Sequence, residues 1–374
     1  MKNLTYHYIL FAGALFTLLV SSCRKDAKPD EEQTQTIFTP TPTSTVKGFY
    51  LLNEGNLNMN KASLDFVDYT TGIYRKNIYS TANPEVGRGL GDVGNDIAIY
   101  GSKLYVVVNN SNKVEVLNAK TGKRISQINL VNCRYITFHN NKAYVSTYMS
   151  AVGATNAANG IVAQIDTTTL LIERQVTVGR QPEEMALVGN KLYVANSGGY
   201  SPANYERTIS VIDLTTFTET KRIDVAINLG SLKADQYGDL YVISQGDYLS
   251  IQPKLLVIDT QTERVKATFD IPVRTIHIDA DRLYAISTNG QKFAYNIINI
   301  QNETLLNQSY ITDGTDSQIT QPYGLTVNPV TKEVLLTDAR DYVTQGTLYC
   351  FGTDGRKKWS VTTGDIPAHF AFTF

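Results

Sequence analysis

The sequence predicts an all-β fold, a seven-bladed β-propeller built from four-stranded antiparallel blades, and three observations support this prediction. One unit occurs seven times: a strand-like segment such as residues 191–194 (Lys-Leu-Tyr-Val), a variable loop, and a second segment such as residues 208–213 (Thr-Ile-Ser-Val-Ile-Asp). The repeat is about 45 residues long, which is typical of propeller blades. Its apolar runs are short and lack helical spacing, which argues against a helical solenoid of the same period.

The two halves of the unit are both rich in Tyr, Val and Ile, which favour strands. Copies of the first half lie at residues 49–52, 103–106, 142–145, 239–242, 282–285 and 333–336. Copies of the second half lie at residues 63–68, 113–118, 161–166, 254–259, 295–300 and 347–352. Five second halves lead into tight turns that begin with Asp or Asn, which can hydrogen-bond the backbone two residues on and so favour a hairpin into a further strand.

A separate apolar segment precedes six of the units and is expected to form the innermost strand of each blade. These segments are residues 96–100, 134–139, 184–188, 231–235, 275–279 and 323–328. The first unit has no such segment ahead of it, whereas residues 366–372, close to the C-terminus, resemble residues 180–187. We therefore predict that the C-terminal strand completes the first blade and closes the ring, which leaves no sheet edge open.

Length and composition limit the possible classes of protein. A chain of 374 residues would ordinarily favour two domains, but blades must share one ring, so residues 48–374 are predicted to form a single propeller domain. Lys and Arg number 34 against 35 Asp and Glu, so no net field favours nucleic acid, and no such partner is predicted. Cys133 and Cys350 fall in apolar strand patterns and are expected to pack as small hydrophobic residues.

The N-terminal residues are predicted to be a lipoprotein signal peptide, 1–22, and a lipidated, disordered tether, 23–47. Lys2 and the apolar residues 8–20 are typical of a signal peptide, and that run is too short to span a membrane comfortably. Small residues before Cys23 resemble a bacterial lipobox, which would attach lipid to Cys23; an ordinary secretory signal with an incidental Cys is the alternative. The Thr/Pro-rich part of residues 33–45 has too little apolar surface to fold.

No catalytic or metal-binding motif in the sequence has a supporting context. Residues 89–94 match the dinucleotide fingerprint as a string, but a strand pattern follows where that motif requires a helix. His139, His277 and His369 fall in different predicted blades without metal-ligand spacing. We therefore predict no catalytic residue, no catalytic cofactor and no metal, and we expect that the chain is not an enzyme.

Candidate ligand-binding residues lie on one predicted face of the ring. Loops between the second and third strands of each blade, and loops that enter the next innermost strand, share this face, and binding residues tend to occupy such loops. The candidates are Asn53, Glu54, Asn109, Arg134, Tyr148, Arg180, Asn196, Tyr200, Gln245, Asp247, Tyr248, Arg274, Tyr323, Arg340, Asp341 and Tyr342. Aromatic rings beside amide and guanidinium donors suit a large, flat, amide-bearing ligand better than an ion. Ordinary solvated loops are the alternative for any single residue.

The repeat resembles that of the YVTN family of β-propellers, in residues 191–196 and 211–213, and this resemblance implies fold but not function. In the last blade, residues 321–329, 337–342 and 358–372 are similar to surface propeller lipoproteins of gut Bacteroidetes. Some of those, the BtuG group, capture vitamin B12 and related cobamides over a TonB-dependent corrinoid transporter.

This narrower resemblance implies that a cobamide binds across the loop face and passes to a TonB-dependent outer-membrane transporter. Residues Lys25 and Asp26, close behind Cys23, resemble the signal that sends Bacteroidetes lipoproteins to the cell exterior, which implies an outer-membrane lipid anchor facing outward. Two other classes of function stay open at this point. They are a propeller lyase or hydrolase that uses the same face, and a surface adhesion or scaffold module that binds protein or glycan.

Overall fold

The computed structural model describes residues 32–40, 45–289 and 292–374. The predicted signal peptide, Cys23 and the part of the predicted tether at residues 23–31 and 41–44 lie outside the described residues. Within the described part of the chain, no helix is long and apolar enough to cross a membrane.

The chain forms seven antiparallel sheets, which are the predicted blades. Blade 1 contains β1 (Gln33–Thr36), β2 (Gly48–Asn53), β3 (Ser63–Asp68) and β4 (Ile73–Lys76). Blade 2 contains β5 (Gly94–Tyr100), β6 (Lys103–Val108), β7 (Lys113–Asn118) and β8 (Arg124–Asn129). Blade 3 contains β9 (Cys133–His139), β10 (Lys142–Thr147), β11 (Asn159–Asp166) and β12 (Ile172–Arg180). Blade 4 contains β13 (Pro182–Val188), β14 (Lys191–Asn196), β15 (Thr208–Asp213) and β16 (Thr218–Asp224).

The remaining blades follow the same order. Blade 5 contains β17 (Leu229–Ala234), β18 (Asp239–Ser244), β19 (Lys254–Asp259) and β20 (Arg264–Phe269). Blade 6 contains β21 (Val273–Asp279), β22 (Arg282–Asn289), β23 (Lys292–Asn299) and β24 (Thr304–Ser309). Blade 7 contains β25 (Pro322–Val327), β26 (Val334–Asp338), β27 (Gln345–Phe351) and β28 (Lys357–Asp365), and the chain ends with β29 (Pro367–Thr373). The short helix α1 (Ile78–Ala82) and a 3-10 helix (Thr315–Gln318) lie between blades.

The predicted closure of the ring is confirmed. β29 pairs with β2 in an antiparallel register from Gly48–Thr373 to Asn53–Pro367, which makes it the innermost strand of blade 1. It also contacts β5 of blade 2 and β25 of blade 7. The strands β2 and β29, from the two ends of the propeller domain, are thus held in one sheet, and the innermost strands form a continuous ring.

The hydrophobic core of the described residues consists of seven clusters, each between two neighbouring blades. Tyr105 and Val107 of blade 2, for example, pack against Ala143 and Val145 of blade 3. Because strands are buried on both faces, they read as continuous apolar runs, as the sequence indicated. Cys133 lies in the cluster between blades 2 and 3, and Cys350 lies in that between blades 7 and 1; both are buried in apolar packing, as predicted, and both are free thiols.

The predicted Asp and Asn turns are also confirmed. Asp166 accepts hydrogen bonds from the backbone N–H groups of Thr168 and Thr169 at 2.9 and 2.7 Å, and Asn118 does the same for Lys120 and Thr121 at 2.9 and 3.0 Å. These side chains therefore fix the hairpins between third and fourth strands.

The structure differs from the predicted tether at Gln33–Thr36, which forms β1. This strand pairs with β4, from Gln33–Lys76 to Thr36–Ile73, and adds a fifth strand to blade 1. The segment is polar and exposed, so the apolar criterion overlooked it; the free backbone groups on the outer edge of β4 are sufficient to bind a strand of any composition. Phe38, which follows β1, packs against the cluster between blades 7 and 1.

Candidate functional site

A cavity of about 910 Å³ opens at the centre of the loop face and extends into the channel between the innermost strands. We call it the central cavity. Six predicted binding residues line it: Glu54, Arg134, Gln245, Tyr248, Arg274 and Tyr323. The prediction that loop-face side chains from several blades converge is therefore met for this subset.

Every innermost strand has a register shift near its loop-face end. The shifted segments are Gly94 to Asp96, Cys133 to Ile136, Pro182 to Met185, Leu229 to Leu232, Val273 to Thr275, Pro322 to Leu325 and Pro367 to His369. A β-bulge leaves an extra residue out of the ladder and turns its side chain away from the regular alternation, which is why bulges are frequent beside binding sites. Here the bulges place polar residues such as Arg134, Glu183 and Tyr323 in the wall of the cavity.

Arg134, Glu183 and Tyr148 form one buried group across blades 3 and 4. The Arg134 guanidinium donates to Glu183 Oε2 at 2.9 and 3.2 Å, and its Cζ lies 4.9 Å from the centre of the Tyr148 ring. The Tyr148 hydroxyl donates to the other Glu183 oxygen. Burial raises the pKa of Tyr148 well above its ordinary value, so the hydroxyl stays protonated and can only donate to Glu183.

Tyr148 is therefore not a surface contact, as the sequence suggested, but a support. Only 1% of it is exposed, because it lies beneath Arg134 and beside Tyr200, whose ring centre is 6.4 Å away. It holds the guanidinium and the carboxylate that face the cavity, so we class it as a positioning residue.

On the opposite side of the cavity, Glu54 joins blades 1 and 7. Its carboxylate accepts a hydrogen bond from the Tyr323 hydroxyl at 2.9 Å and lies 3.1 Å from His369 Nε2. Tyr323 in turn meets the edge of Tyr342, with ring centres 5.9 Å apart. Glu54 thus holds the Tyr323 ring of blade 7 and the His369 ring of blade 1 at the cavity mouth.

The His369 pair predicts a pH dependence of stability. Burial alone would lower the pKa of His369, but the hydrogen-bonded Glu54 carboxylate, with Asp96 and Glu184 nearby, raises it above 6.5. A raised pKa in the folded state means that this contribution to the free energy of unfolding is complete below pH 6.5 and is lost as the pH rises through the folded-state pKa.

We expect Glu54→Gln to reduce this pH dependence, because the amide carries no charge. Urea unfolding of both proteins at pH values from 5.5 to 8.5, about one unit below and two above the ordinary His pKa, would measure it. Equal slopes of unfolding free energy against pH in the two proteins would contradict the assignment.

The sequence reasoning missed several charged residues in the channel wall. Glu184 accepts hydrogen bonds from Ser231 Oγ at 2.6 Å and from the Leu232 backbone N–H at 2.9 Å, and it pairs with the Lys233 ammonium. Asp96 accepts a bond from the Ile136 backbone N–H at 2.9 Å across the blade boundary, and burial raises its pKa.

A signal for these residues existed in the innermost strands. A strand enclosed by neighbouring blades should be apolar, yet polar residues stand immediately before buried apolar residues in three of these strands. The pairs are Asp96 before Ile97, Tyr135 before Ile136 and Glu184 before Met185. His277 also lines the channel; burial lowers its pKa to about 3, so it is a neutral imidazole.

Three predicted contacts, Asn53, Asn109 and Asn196, are buried inside the blades and are not available to a ligand. Asn196 Nδ2 donates to Thr208 Oγ1 at 3.1 Å and to Ser210 Oγ at 2.9 Å, bracing the next strand of its own blade. Asn53 makes the equivalent bonds in blade 1, and Asn109 bonds Asn132 and the Cys133 carbonyl. Asn53 and Asn196 therefore brace their own blades, Asn109 joins blade 2 to blade 3, and none of the three lines the cavity.

Four further predicted contacts have structural partners on the loops. Asp247 and Asp341 accept backbone N–H bonds from the residues two and three positions on, and this lowers the pKa of each to about 2. Arg180 pairs with Glu206 at 3.0 Å, and Arg340 donates to Thr347 Oγ1 at 2.8 Å. These residues shape the loops around the cavity.

The outer rim of the loop face is formed by exposed aromatic side chains. Tyr200, Tyr248 and Tyr342 are 38%, 66% and 37% exposed. Tyr248 and Tyr342 have φ angles of 60° and 63°, in the left-handed region that bulky residues rarely adopt. Such strained positions cluster at binding and catalytic sites. The turns at Tyr248 and Tyr342 therefore fix where these two side chains leave the backbone.

Comparisons with known proteins identify a family and a fold. A family model described as "Domain of unknown function (DUF5074)" matches residues 47–371. No curated protein matches the chain.

Among solved structures, a quinoprotein alcohol dehydrogenase-like protein from Bacteroides thetaiotaomicron has a TM-score of 0.60 and 15% identity, over 87% of this chain and 78% of that chain. AztD from Citrobacter koseri has a TM-score of 0.54 and 9% identity, over 88% of this chain and 98% of that chain. Hydrazine synthase from Kuenenia stuttgartiensis has a TM-score of 0.54 and 18% identity, over 69% of this chain and 76% of that chain. At these identities the likeness shows the propeller fold and nothing further.

Proposed function

The chain belongs to the DUF5074 family, whose description names no activity, and we therefore propose a function from the loop face. We propose that the protein is a non-catalytic, surface-anchored binding protein whose central cavity takes a large, amide-bearing organic ligand, a cobamide. We propose further that it passes this ligand to a TonB-dependent transporter in the outer membrane. The resemblance of the last blade to cobamide-binding lipoproteins supplies the identity of the ligand.

The observation that carries the proposal is the cavity of about 910 Å³ with a tyrosine rim on the loop face. Its volume lies at the upper end of the range for small-molecule sites, which favours a large ligand over an ion. The walls offer both acceptors and donors, including Gln245, Arg274 and Glu54, as a ligand with peripheral amides requires. The cations Arg134 and Lys233 are neutralised by their own carboxylate partners, so the cavity suits a ligand without a high charge.

The proposed transfer to a membrane protein agrees with the position of β1. The strand begins beside Lys76 at the loop-face end of blade 1 and runs away from that face. If Cys23 carries the lipid, the chain from Cys23 to Glu32 spans at most about 30 Å. This reach favours an orientation in which the loop face, and not the opposite face, is turned toward the membrane.

The loop face also has an exposed apolar surface suitable for a protein partner. Leu57, Met59 and Val343 extend from loops of the neighbouring blades 1 and 7 and are 44% to 66% exposed. The two loops are joined by a hydrogen bond from Asn56 Nδ2 to the Tyr342 carbonyl. Clustered exposed apolar residues of this kind are typical of interaction sites. We assign this apolar surface to the transporter, and the central cavity with its tyrosine rim to the ligand.

Titration of the purified protein with cyanocobalamin tests the ligand assignment. We expect saturable binding at micromolar ligand or below, measured by calorimetry. If no heat of binding is measured at that concentration, the assignment of a cobamide as the ligand is wrong. Chemical conversion of the ligand, followed by absorption spectroscopy, would instead support the lyase or hydrolase alternative, and binding only to protein or glycan would support the adhesion or scaffold alternative.

The variant Tyr248→Ala tests whether the ligand binds on the loop face. Tyr248 is the most exposed rim tyrosine and lines the cavity, so its removal should weaken cyanocobalamin binding by about 1 to 3 kcal/mol. Tyr237→Ala is the matched control, because Tyr237 is 47% exposed on the opposite face and its hydroxyl donates to Asp281. Equal affinities of the two variants would place the ligand elsewhere.

A further inference from the structure

The lower part of the central cavity lies in the channel between the innermost strands. In blades 2 to 6 the third residue of the second strand is a Tyr, and each of these tyrosines pairs with a residue of the innermost strand that lines the cavity. We call these paired positions the channel layer. They are Ala98, Thr137, Ala186, Lys233 and His277. The cavity thus reaches the same depth in five blades.

The channel layer has room for a ligand group on one side. Blades 2, 3 and 4 contribute the small side chains of Ala98, Thr137 and Ala186, whereas blades 5 and 6 contribute the long side chains of Lys233 and His277. Blade 6 lies across the ring from blades 2 and 3. The space beside the small residues is therefore bordered by His277 on the other side of the channel.

His277 has no hydrogen-bond partner among the described residues, although it is largely enclosed by protein. Burial, with Lys233 and Lys332 nearby, lowers its pKa to about 3, so the ring is neutral. A neutral imidazole has one N–H donor and one nitrogen acceptor. Most enclosed polar groups have a partner, and here both ring nitrogens are left for a group that enters the cavity.

Arg274 lies on the same strand, three residues nearer the loop face. At the usual rise of a strand, its Cα is about 10 Å from that of His277. Its Cζ lies 6.0 Å from the centre of the Phe293 ring, and it has no ion-pair partner in the part of the chain that the structure describes. The other two cations in the cavity lining, Arg134 and Lys233, are paired with carboxylates. Arg274 is therefore the unpaired cation of the cavity.

An unpaired cation near the mouth and an uncharged donor and acceptor below it suit a nucleotide. A phosphodiester carries one negative charge, and a guanidinium binds it through two parallel N–H donors. The ribose and base beyond the phosphate are uncharged, and their hydroxyl and nitrogen atoms exchange hydrogen bonds with groups such as an imidazole. A cobamide has one such arm, a phosphate, a ribose and a base attached to the edge of its corrin ring.

We infer that the channel takes the nucleotide arm of the cobamide, while the corrin ring stays above it at the tyrosine rim. The phosphate pairs with Arg274. The ribose and base lie beside the small residues of the channel layer and exchange hydrogen bonds with His277. This inference rests on the proposed cobamide binding and adds to it a preference for complete cobamides over those that lack the arm.

Dicyanocobinamide tests the inference, because it keeps the corrin ring and its amides but lacks the nucleotide arm. We expect the intact protein to bind cyanocobalamin at least about tenfold more tightly than dicyanocobinamide in calorimetry. His277→Phe should lower this ratio of affinities at least about threefold, because Phe keeps a ring of similar size but forms no hydrogen bonds. Arg274→Gln should also lower the ratio, because its amide has no charge to pair with the phosphate.

His139→Phe is the matched control. His139 ends the innermost strand of blade 3 and lies outside the cavity lining, where its Nε2 is 2.8 Å from Asn140 Nδ2. This variant should leave the ratio of affinities unchanged. His277→Phe removes no hydrogen bond from the described part of the protein, so it should melt like the intact protein, and thermal melting checks that it is folded.

Three results would overturn the inference. They are equal affinities of the intact protein for the two ligands, an unchanged ratio in His277→Phe or Arg274→Gln, and an equal fall of the ratio in His139→Phe. Equal affinities would leave the proposed cobamide binding in place. Failure of the intact protein to bind either ligand would instead remove the cobamide proposal and this inference together.

Discussion

Deletion of residues 367–374 should prevent the protein from folding as a cooperative unit. The deletion removes β29, which pairs with β2 along its whole length and contacts the innermost strands of blades 2 and 7. It also removes Phe370 and Phe372, whose rings lie 5.8 and 5.6 Å from Phe49. A globular protein has only about 5 to 15 kcal/mol of net stability, so losing one strand and opening the ring should consume most of it.

The control for this experiment is removal of Phe374 alone, which is 74% exposed and lies beyond β29. That variant should melt like the intact protein, as a frayed terminus does. Circular dichroism and calorimetric melting of the three proteins would measure the effect. A cooperative transition of the 367–374 deletion within a few degrees of the intact protein would contradict the ring-closure argument.

The fold could be predicted from the sequence because a repeated unit averages over local ambiguity. Residues 208–213, 63–68, 113–118 and 254–259 coincide with β15, β3, β7 and β19 in both bounds. The same method could not find β1, since Gln33–Thr36 has no apolar face and no counterpart in other blades. Edge pairing depends on backbone groups, which composition does not reveal.

The candidate site could be predicted only in part. Loop position predicted that Tyr248 and Arg274 lie on the loop face, where they line the cavity, but it could not tell an exposed side chain from one that turns inward. Asn196 ends a second strand and Tyr148 follows one, at the same end of the blade as the rim residues, yet both are buried. Glu183 was missed because its side chain reaches the cavity through a bulge, and a register shift of this kind has no local sequence pattern.

Glu183→Ala should have the second largest effect. Glu183 is the only ion-pair partner of Arg134 among the described residues, and it accepts the Tyr148 hydroxyl. The side chains of Arg134 and Glu183 are only 18% and 10% exposed. Removing one member of a largely buried pair leaves an uncompensated charge and costs about 3 to 5 kcal/mol, so we expect a corresponding loss in the free energy of unfolding and weaker cyanocobalamin binding.

A combined variant separates stability from binding. Arg134→Met with Glu183→Leu replaces both charges by apolar groups, and such replacements are often neutral in stability. We expect this double variant to recover only part of the unfolding free energy that Glu183→Ala loses, as measured by urea denaturation, because the buried Tyr148 hydroxyl still lacks its acceptor. It should not recover ligand affinity, because the guanidinium that faces the cavity is gone. If the double variant binds cyanocobalamin like the intact protein, Arg134 and Glu183 have no part in ligand binding and serve only to join blades 3 and 4. If Glu183→Ala has the same unfolding free energy as the intact protein, the Arg134–Glu183 pair does not stabilise the contact between these blades.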